Sequence, residues 1–372
     1  MEKVDVVIVG AGVIGLALAR QFAQSGREVI LLESAHAIGT ETSARNSEVI
    51  HAGLYYPEGS LKASLCVRGR ELLYNYCAEK NIATRRCGKL VIASTPEQIP
   101  VLQALYQQAL RNGCDEVEQL NPSQTRALEP KLHCVAALHS PMTGILDSHT
   151  YLHALLGDAQ AAGAGLARAS PLEAGRCEVA GVVLDIGGRE PTQLKAKLLI
   201  NAAGLWAPDL AHHITGLNRR RIPPAYYAKG NYFSLRGKPP FNRLIYPIPV
   251  QGGLGIHMTL DLTGQARFGP DIEWTVPDHD RKLDYAVNQN KKSGFIDEIK
   301  RYWPQIEEDM LSPAYSGIRP KIAPAGSAAT DFICVGPQHS GSPHYLGLYG
   351  IESPGLTASL ALAEYVHRLC PP

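Results

Sequence analysis

The sequence predicts an α/β protein (α+β overall) of two domains, and three observations carry that prediction. The first is an apolar run, Val4-Asp5-Val6-Val7-Ile8-Val9, broken by Gly10-Ala11-Gly12-Val13-Ile14-Gly15; a helix-period segment follows, then a second apolar run, Val29-Ile30-Leu31-Leu32, ending in Glu33. The second is a set of strand-like segments much later in the chain, Leu194–Ile200 among them, that lead back into small-residue turns. The third is the stretch 222–275, rich in Tyr, Gly, Pro and β-branched residues, which has the pattern of an antiparallel sheet.

Strand, Gly-x-Gly-x-x-Gly, helix, strand and acid together make a Rossmann-like βαβ unit that binds a dinucleotide. Gly10 makes the tight turn, Gly12 lets the backbone approach a pyrophosphate, and Gly15 lets the helix pack closely on the strands. The helix runs to about Ser25, and its positive N-terminal end is the place for the pyrophosphate. Glu33 lies eighteen residues beyond Gly15 at the tip of the second strand, with Ser34 beside it, where a carboxylate accepts hydrogen bonds from ribose hydroxyls.

A chain of 372 residues exceeds one compact core, so two domains or one elaborated α/β unit are expected. Its 45% hydrophobic and 19% charged residues are ordinary for a soluble globular protein. Lys+Arg number 36 and Asp+Glu 35, so no global field recruits nucleic acid or acidic lipid, and a small-molecule ligand is the default. The eight cysteines show no spacing of the kind a zinc site needs; they read as reduced thiols, and no metal is expected. No apolar run of about twenty residues occurs, so no transmembrane segment is expected, and residues 4–24 belong to the nucleotide fold rather than to a signal peptide. These features point to a cytoplasmic protein, free or attached peripherally to the inner membrane.

After Glu33 the chain reaches Thr42-Ser43-Ala44-Arg45-Asn46-Ser47, whose hydroxyls, amides and arginine suit phosphate and ribityl oxygens. The segment Glu48-Val49-Ile50-His51-Ala52-Gly53 has apolar neighbours that put His51 inside the protein. Residues 60–80, 96–112 and 122–129 have helical spacing, the last opened by Asn121-Pro122, and Leu90-Val91-Ile92-Ala93 reads as a strand. Another amphipathic helix covers His149 to Ala162, and Cys177–Ile186 and Leu194–Ile200 read as strands returning to the nucleotide domain. The latter runs into Asn201-Ala202-Ala203-Gly204-Leu205-Trp206, where Ala203, Gly204 and Trp206 mark a close backbone approach to a cofactor, or else close strand–helix packing. Turn signals stand at Gly237-Lys238-Pro239-Pro240 and Gln251-Gly252-Gly253, and 277–310 is polar and helix-prone. Beyond Tyr315 the chain is strand-like again, closing with Gly350-Ile351-Glu352-Ser353-Pro354-Gly355-Leu356-Thr357 and a helix to about Leu369.

With these segments in place, the chain resembles the FAD-dependent oxidoreductases of the D-amino-acid oxidase superfamily, and most of all the L-2-hydroxyglutarate dehydrogenase/oxidase group. The resemblance covers nearly the whole length. It rests on Gly10–Gly15 with Glu33, Asn46-Ser47-x-Val49-Ile50-His51-x-Gly53-x-Tyr55-Tyr56, Leu61-Lys62-Ala63-x-Leu65-Cys66-Val67-x-Gly69 and Asn201-Ala202-Ala203-Gly204. Further matches are Lys229-Gly230-x-Tyr232, His257-x-Thr259, Gly317-Ile318-Arg319-Pro320 and Ile351-x-Ser353-Pro354-Gly355-Leu356-Thr357. One departure is Glu48, where the group usually carries a small residue.

The resemblance implies an FAD cofactor and a flavoprotein that oxidises a small 2-hydroxy acid to the 2-oxo acid, passing electrons to O2 or a quinone. It implies an FAD-binding domain of residues 1–80, 145–220 and 315–372, and a substrate-binding domain of 81–144 and 221–314. Arg319 is the expected clamp for the substrate carboxylate, since a guanidinium fork matches a carboxylate bidentately. His51 and His257 are the two candidates for the base that takes the hydroxyl proton, and Lys229 is a second charge for the substrate. The stretch Gly350–Thr357 offers helix amides and a positive dipole to the reduced flavin, and His51 and Arg319 also lie against the cofactor. Three other readings stay open: an amine or amino-acid oxidase of the glycine or sarcosine oxidase type, an NAD-dependent dehydrogenase, and a non-catalytic nucleotide-binding module.

Overall fold

Val6, Val7 and Ile8 are wholly buried in the strand Glu2–Val9 of the computed structural model, which describes residues 1–248 and 255–370. Burial on both faces marks a central parallel strand. It runs parallel to Val29–Leu32 on one side and to Thr192–Asn201 on the other. Gly165–Ala167 extends the sheet beyond Val29–Leu32. The far edge of Thr192–Asn201 is divided: its first half pairs antiparallel with Gly181–Ile186, its second half parallel with Tyr345–Tyr349. Leu172–Glu178 continues this flank antiparallel to Gly181–Ile186, and Ile214–Thr215 pairs parallel with Leu172–Glu178.

Three helices flank this sheet because each carries an apolar face. Val13–Gln24 buries Leu16, Leu18, Ala19 and Phe22 and packs against both Ser148–Ala161 and Gly355–Leu369. The two outer helices are joined by a buried hydrogen bond of 2.8 Å between the hydroxyls of Tyr151 and Ser359. These elements form one unit, Met1–Asn46 with Ser148–Tyr227 and Arg319–Pro372, and so a Rossmann-like region built from separated segments.

Ser47–Asp147 and Ala228–Ile318 form the second unit. Lys89–Ala93, buried throughout, lies antiparallel to Ala136–Ser140 and parallel to Leu244–Pro247. The sheet continues antiparallel through Met258–Leu260 and Ala266–Phe268 to Tyr226–Leu235. Among the described residues its strand pairs are mostly antiparallel, and the parallel pairing of Lys89–Ala93 with Leu244–Pro247 is one that the sequence pattern does not announce. Its core packs aromatic rings, Phe233 edge to face with Phe295 at 4.8 Å and Phe268 stacked on Trp303 at 6.3 Å. The helix Leu61–Glu79 begins where Ser60 Oγ accepts the Ala63 N–H, and Pro122–Leu128 begins in a reciprocal cap between Asn121 and Gln124.

Residues 47–80, which the sequence reading groups with the nucleotide segments, pack in the second unit. The strand Val49–Ile50 pairs with Gly144–Leu146, and Ala52 and Leu54 join a core with Leu102, Cys114 and Leu138. Of the polar stretch 277–310, only Lys292–Lys300 is an α-helix; around Asp278 and Asp284 the carboxylates accept nearby backbone N–H groups and stabilise turns instead. The turn expected at Gln251-Gly252-Gly253 lies outside the described residues. Among the described residues no helix is long and apolar enough to cross a membrane, and the eight cysteines are free thiols.

Candidate functional site

Four parallel strands of the first unit end side by side, and each end carries residues singled out above: Gly10 after Val9, Glu33 after Leu32, Ala202 after Asn201, Gly350 after Tyr349. In open α/β sheets the crevice beyond these carboxyl ends is where ligands bind. Gly10 has φ +99°, and a Cβ there would stand 2.6 Å from the Ala202 carbonyl oxygen. A Cβ on Gly15 would overlap the Gly10 carbonyl oxygen. Both positions therefore need glycine for close packing. Gly12 differs: its φ of −75° suits any residue, and a Cβ would meet only Ser43 Oγ, at 3.1 Å. The room in front of Gly12 is the cradle that a bulkier side chain would fill.

Ser43 comes to this turn from the 3-10 segment Thr42–Ala44, where its Oγ accepts the Val13 N–H at 3.0 Å; Asn46 Nδ2 donates to the Ser43 carbonyl at 2.7 Å. Glu33 is almost wholly buried, and its carboxylate accepts the N–H groups of Ala11 at 2.7 Å and Ala35 at 2.8 Å, with the Ser34 hydroxyl at 3.2 Å. A carboxylate has about four acceptor positions, so roughly one remains for a ribose hydroxyl. Arg45 is partly exposed near this turn, and Ser47 opens the second unit. Asn201, wholly buried, donates to the Ala207 carbonyl and the Tyr345 hydroxyl and so shapes the turn that carries Ala203, Gly204 and Trp206. The Trp206 ring lies 5.8 Å from that of Tyr227.

Arg319 is half-buried near the end of the strand Leu311–Lys321. Two residues on, Lys321 Nζ donates to Glu352 Oε1 at 2.8 Å, which ties this strand to Gly350-Ile351-Glu352-Ser353-Pro354. The helix Gly355–Leu369 opens there, so its first-turn residues Leu356 and Thr357 stand at the positive end of the dipole. Glycine turns, a helix N-terminus and an acid at a strand tip form a donor and acceptor set that fits a dinucleotide such as FAD.

The second unit holds the two candidate histidines in one cluster with an unforeseen lysine. His51 follows the strand Val49–Ile50; burial and the neighbouring Lys89 ammonium push its pKa down to about 3. Lys89 Nζ lies 4.5 Å from the Tyr55 ring centre and 4.8 Å from that of Tyr246. Tyr246 stacks on His257 at 3.7 Å with the rings 9° from parallel. Burial pulls the Lys89 ammonium down to about 8 and pushes the Tyr55 and Tyr246 hydroxyls up.

Lys229 stands apart from that cluster in its bonding. Its ammonium donates to Asp284 Oδ2 at 3.2 Å and to the Ala286 carbonyl at 3.0 Å, and lies 3.5 Å from Glu273 Oε1. In this arrangement it anchors the loop 284–288 to its strand, a structural task that competes with service as a charge for substrate. Lys89, Tyr246 and Lys321 were not singled out from the sequence. The available signal for Lys89 was a lysine opening a run, Leu90–Ala93, that is otherwise apolar.

The chain matches the family model described as FAD dependent oxidoreductase over residues 5–369. It is 42% identical to the mitochondrial L-2-hydroxyglutarate dehydrogenase of Arabidopsis thaliana, over 98% of this chain and 83% of that one. Its fold superposes on the FAD-bound, dithionite-reduced L-α-glycerophosphate oxidase of Mycoplasma pneumoniae with a TM-score of 0.88 and 25% identity, covering 100% of this chain and 95% of that one. A glycine oxidase from Geobacillus kaustophilus superposes with a TM-score of 0.81 at 21% identity, over 100% and 95% of the two chains, a likeness of fold alone. The expectation of a cytoplasmic protein is corrected by the relatives: the Arabidopsis protein and several animal ones are named as mitochondrial. Ordinary soluble composition does not select a compartment.

Proposed function

Since the chain belongs to the FAD dependent oxidoreductase family and is closely related to the L-2-hydroxyglutarate dehydrogenases, we propose that its substrate is L-2-hydroxyglutarate or a 2-hydroxy acid close to it. The chain is an FAD-dependent oxidoreductase of the 2-hydroxy-acid dehydrogenase/oxidase type, and its substrate is a small carboxylate. The observation that carries the finer assignment is the identity with the Arabidopsis L-2-hydroxyglutarate dehydrogenase along nearly the whole chain.

When bound, FAD supplies the two-electron acceptor for the substrate's hydride. In our reading the turn Gly10–Gly15 takes the pyrophosphate, Glu33 the adenosine ribose, and Thr42–Ser47, with Ala203–Trp206, the rest of the cofactor's polar edge. The amides at Gly350–Thr357 would hold its pyrimidine end. Arg319 holds the α-carboxylate by its guanidinium fork, and His51 or His257 accepts the hydroxyl proton at a ring nitrogen. The low pKa of His51 keeps its imidazole neutral at physiological pH but makes it a weak proton acceptor until its surroundings change. A substrate carboxylate arriving nearby raises that pKa and strengthens the base as the complex forms. The acceptor that such a cofactor would serve is O2 or a quinone.

The test is anaerobic mixing of the purified holoprotein with 2-hydroxy and 2-amino acids while flavin bleaching is followed. Bleaching by L-2-hydroxyglutarate ahead of glycine, sarcosine and proline supports the reading. Preference for the amines would move the chain to the amine-oxidase type. Re-oxidation by air against a quinone analogue separates the two acceptors.

A further inference from the structure

Among the described residues Lys89 is the one buried lysine whose ammonium has no hydrogen-bond acceptor. Its side chain is wholly buried, yet the group remains mostly charged at neutral pH with a pKa of about 8. Lys229, in the same unit, shows the ordinary solution, with two carboxylates and a carbonyl around its Nζ. Lys89 Nζ lies over the faces of Tyr55 and Tyr246, and the thiols of Cys66 and Cys114 are near enough to act on its charge, but none of these is an anion. Such faces stabilise a cation by its attraction to the ring quadrupole, but they offset only part of the cost of removing an ammonium from water. Buried charges are paired as a rule, so an ammonium held between rings and lacking an anion calls for one from outside the chain.

The surroundings say which anion. His51, Tyr55 and His257 are each partly exposed, and Tyr246 links the lysine to His257 by its stack. The ammonium thus lies against one face partner of His257, the Tyr246 ring, and close enough to His51 to act on its charge, so the lysine and both candidate proton acceptors belong to one cluster.

We propose that Lys89, between Tyr55 and Tyr246, receives the second carboxylate of a dicarboxylic 2-hydroxy acid and thereby selects dicarboxylates over monocarboxylates. This rests on the functional reading above and deepens it: that reading leaves the α-carboxylate to Arg319 and assigns nothing to the distal one. Lys89 acts on affinity and orientation; it moves no proton in the reaction.

The experiment compares the holoprotein with its Lys89→Met and Lys89→Gln variants. Glutarate and pentanoate, which carry no hydroxyl to oxidise, are titrated against the flavin absorbance. The parent protein should bind glutarate at least about tenfold more tightly than pentanoate, since a buried charge pair is available to only one of them. Each variant should keep its flavin, lose about 30-fold or more in glutarate affinity and hold pentanoate within about threefold. Equal losses for both acids, or an unchanged glutarate affinity, would overturn the proposal, because a purely structural lysine or one acting only on His51 would not distinguish the two chains. If neither variant folds, equal binding of glutarate and pentanoate by the parent protein overturns it. Because these ligands need no turnover, the result stands apart from the functional reading, which fails separately if no 2-hydroxy acid reduces the flavin.

Discussion

Lys321 Nζ donates to Glu352 Oε1 at 2.8 Å, so the strand that carries Arg319 and the segment that opens the last helix are held in one register. Glu352 is 9% exposed and Lys321 is partly exposed, so removing the lysine leaves a largely buried carboxylate without that ammonium. Lys321→Met should cost roughly 1–3 kcal/mol, less than a fully buried pair because water reaches the lysine. Thermal unfolding measures it, and Lys321→Met with Glu352→Gln should recover part of the loss. Equal melting temperatures for the parent and the single variant would show the pair to be idle.

Gly12 and Gly15 separate cofactor binding from folding. Gly12→Val should fold with nearly the parent melting temperature when both are stripped of flavin, because its φ is ordinary and its Cβ meets only the Ser43 hydroxyl. It should emerge colourless, its side chain occupying the pyrophosphate's place. Gly15→Ala should instead damage folding itself, through the clash with the Gly10 carbonyl. A fully yellow Gly12→Val protein would remove the pyrophosphate from this turn.

His51 gives the acid limb of the stability curve a definite sign. Its pKa is about 3 in the folded chain, against about 6.5 for an unperturbed histidine. Between these values the unfolded state binds a proton that the folded state refuses. Stability from this group is therefore full above about pH 6.5 and falls as the pH drops toward about 3. His51→Asn should make the dependence of unfolding free energy on pH shallower by about one proton in that window. Identical slopes for parent and variant would place the imidazole in a less buried state.

The proposed roles of Arg319 and the histidines part company in single-turnover flavin reduction. Arg319→Ala should weaken substrate affinity by about two orders of magnitude or more while retaining flavin, the loss of a charged bidentate partner costing roughly 2–5 kcal/mol. Removing the base should lower the reduction step by about 10²–10⁴-fold with a smaller effect on affinity. Parent rates in both His51→Ala and His257→Ala would take the proton acceptor elsewhere.

The βαβ unit was legible because its periodicities are local: a strand of Val and Ile, three glycines, a helix face and an acid all fall within thirty-three residues. The return of Thr192–Asn201 and Tyr345–Tyr349 beside Glu2–Val9 was readable only in outline, since strand neighbours are set by pairings that no local pattern records. The same limit applies to His51, whose segment packs with Leu102 and Leu138 rather than with the nucleotide sheet that precedes it in the chain. At the site, glycines and Glu33 announced themselves by spacing. Lys89 did not, because a lysine opening an apolar strand looks like a solvated strand end until Tyr55 and Tyr246, thirty-four residues before it and more than a hundred after, close over it. Lys229 shows the converse: a buried cation noticed from sequence whose acceptors come from a distant loop at Asp284 and Ala286.

The most direct test of the account is the rate of flavin reduction when the oxidised holoprotein is mixed anaerobically with L-2-hydroxyglutarate. Complete bleaching in a single turnover, formation of one 2-oxoglutarate per flavin, and a rate that saturates with substrate are expected. An unbleached flavin in the presence of excess L-2-hydroxyglutarate, alongside prompt bleaching by a 2-amino acid, would contradict it.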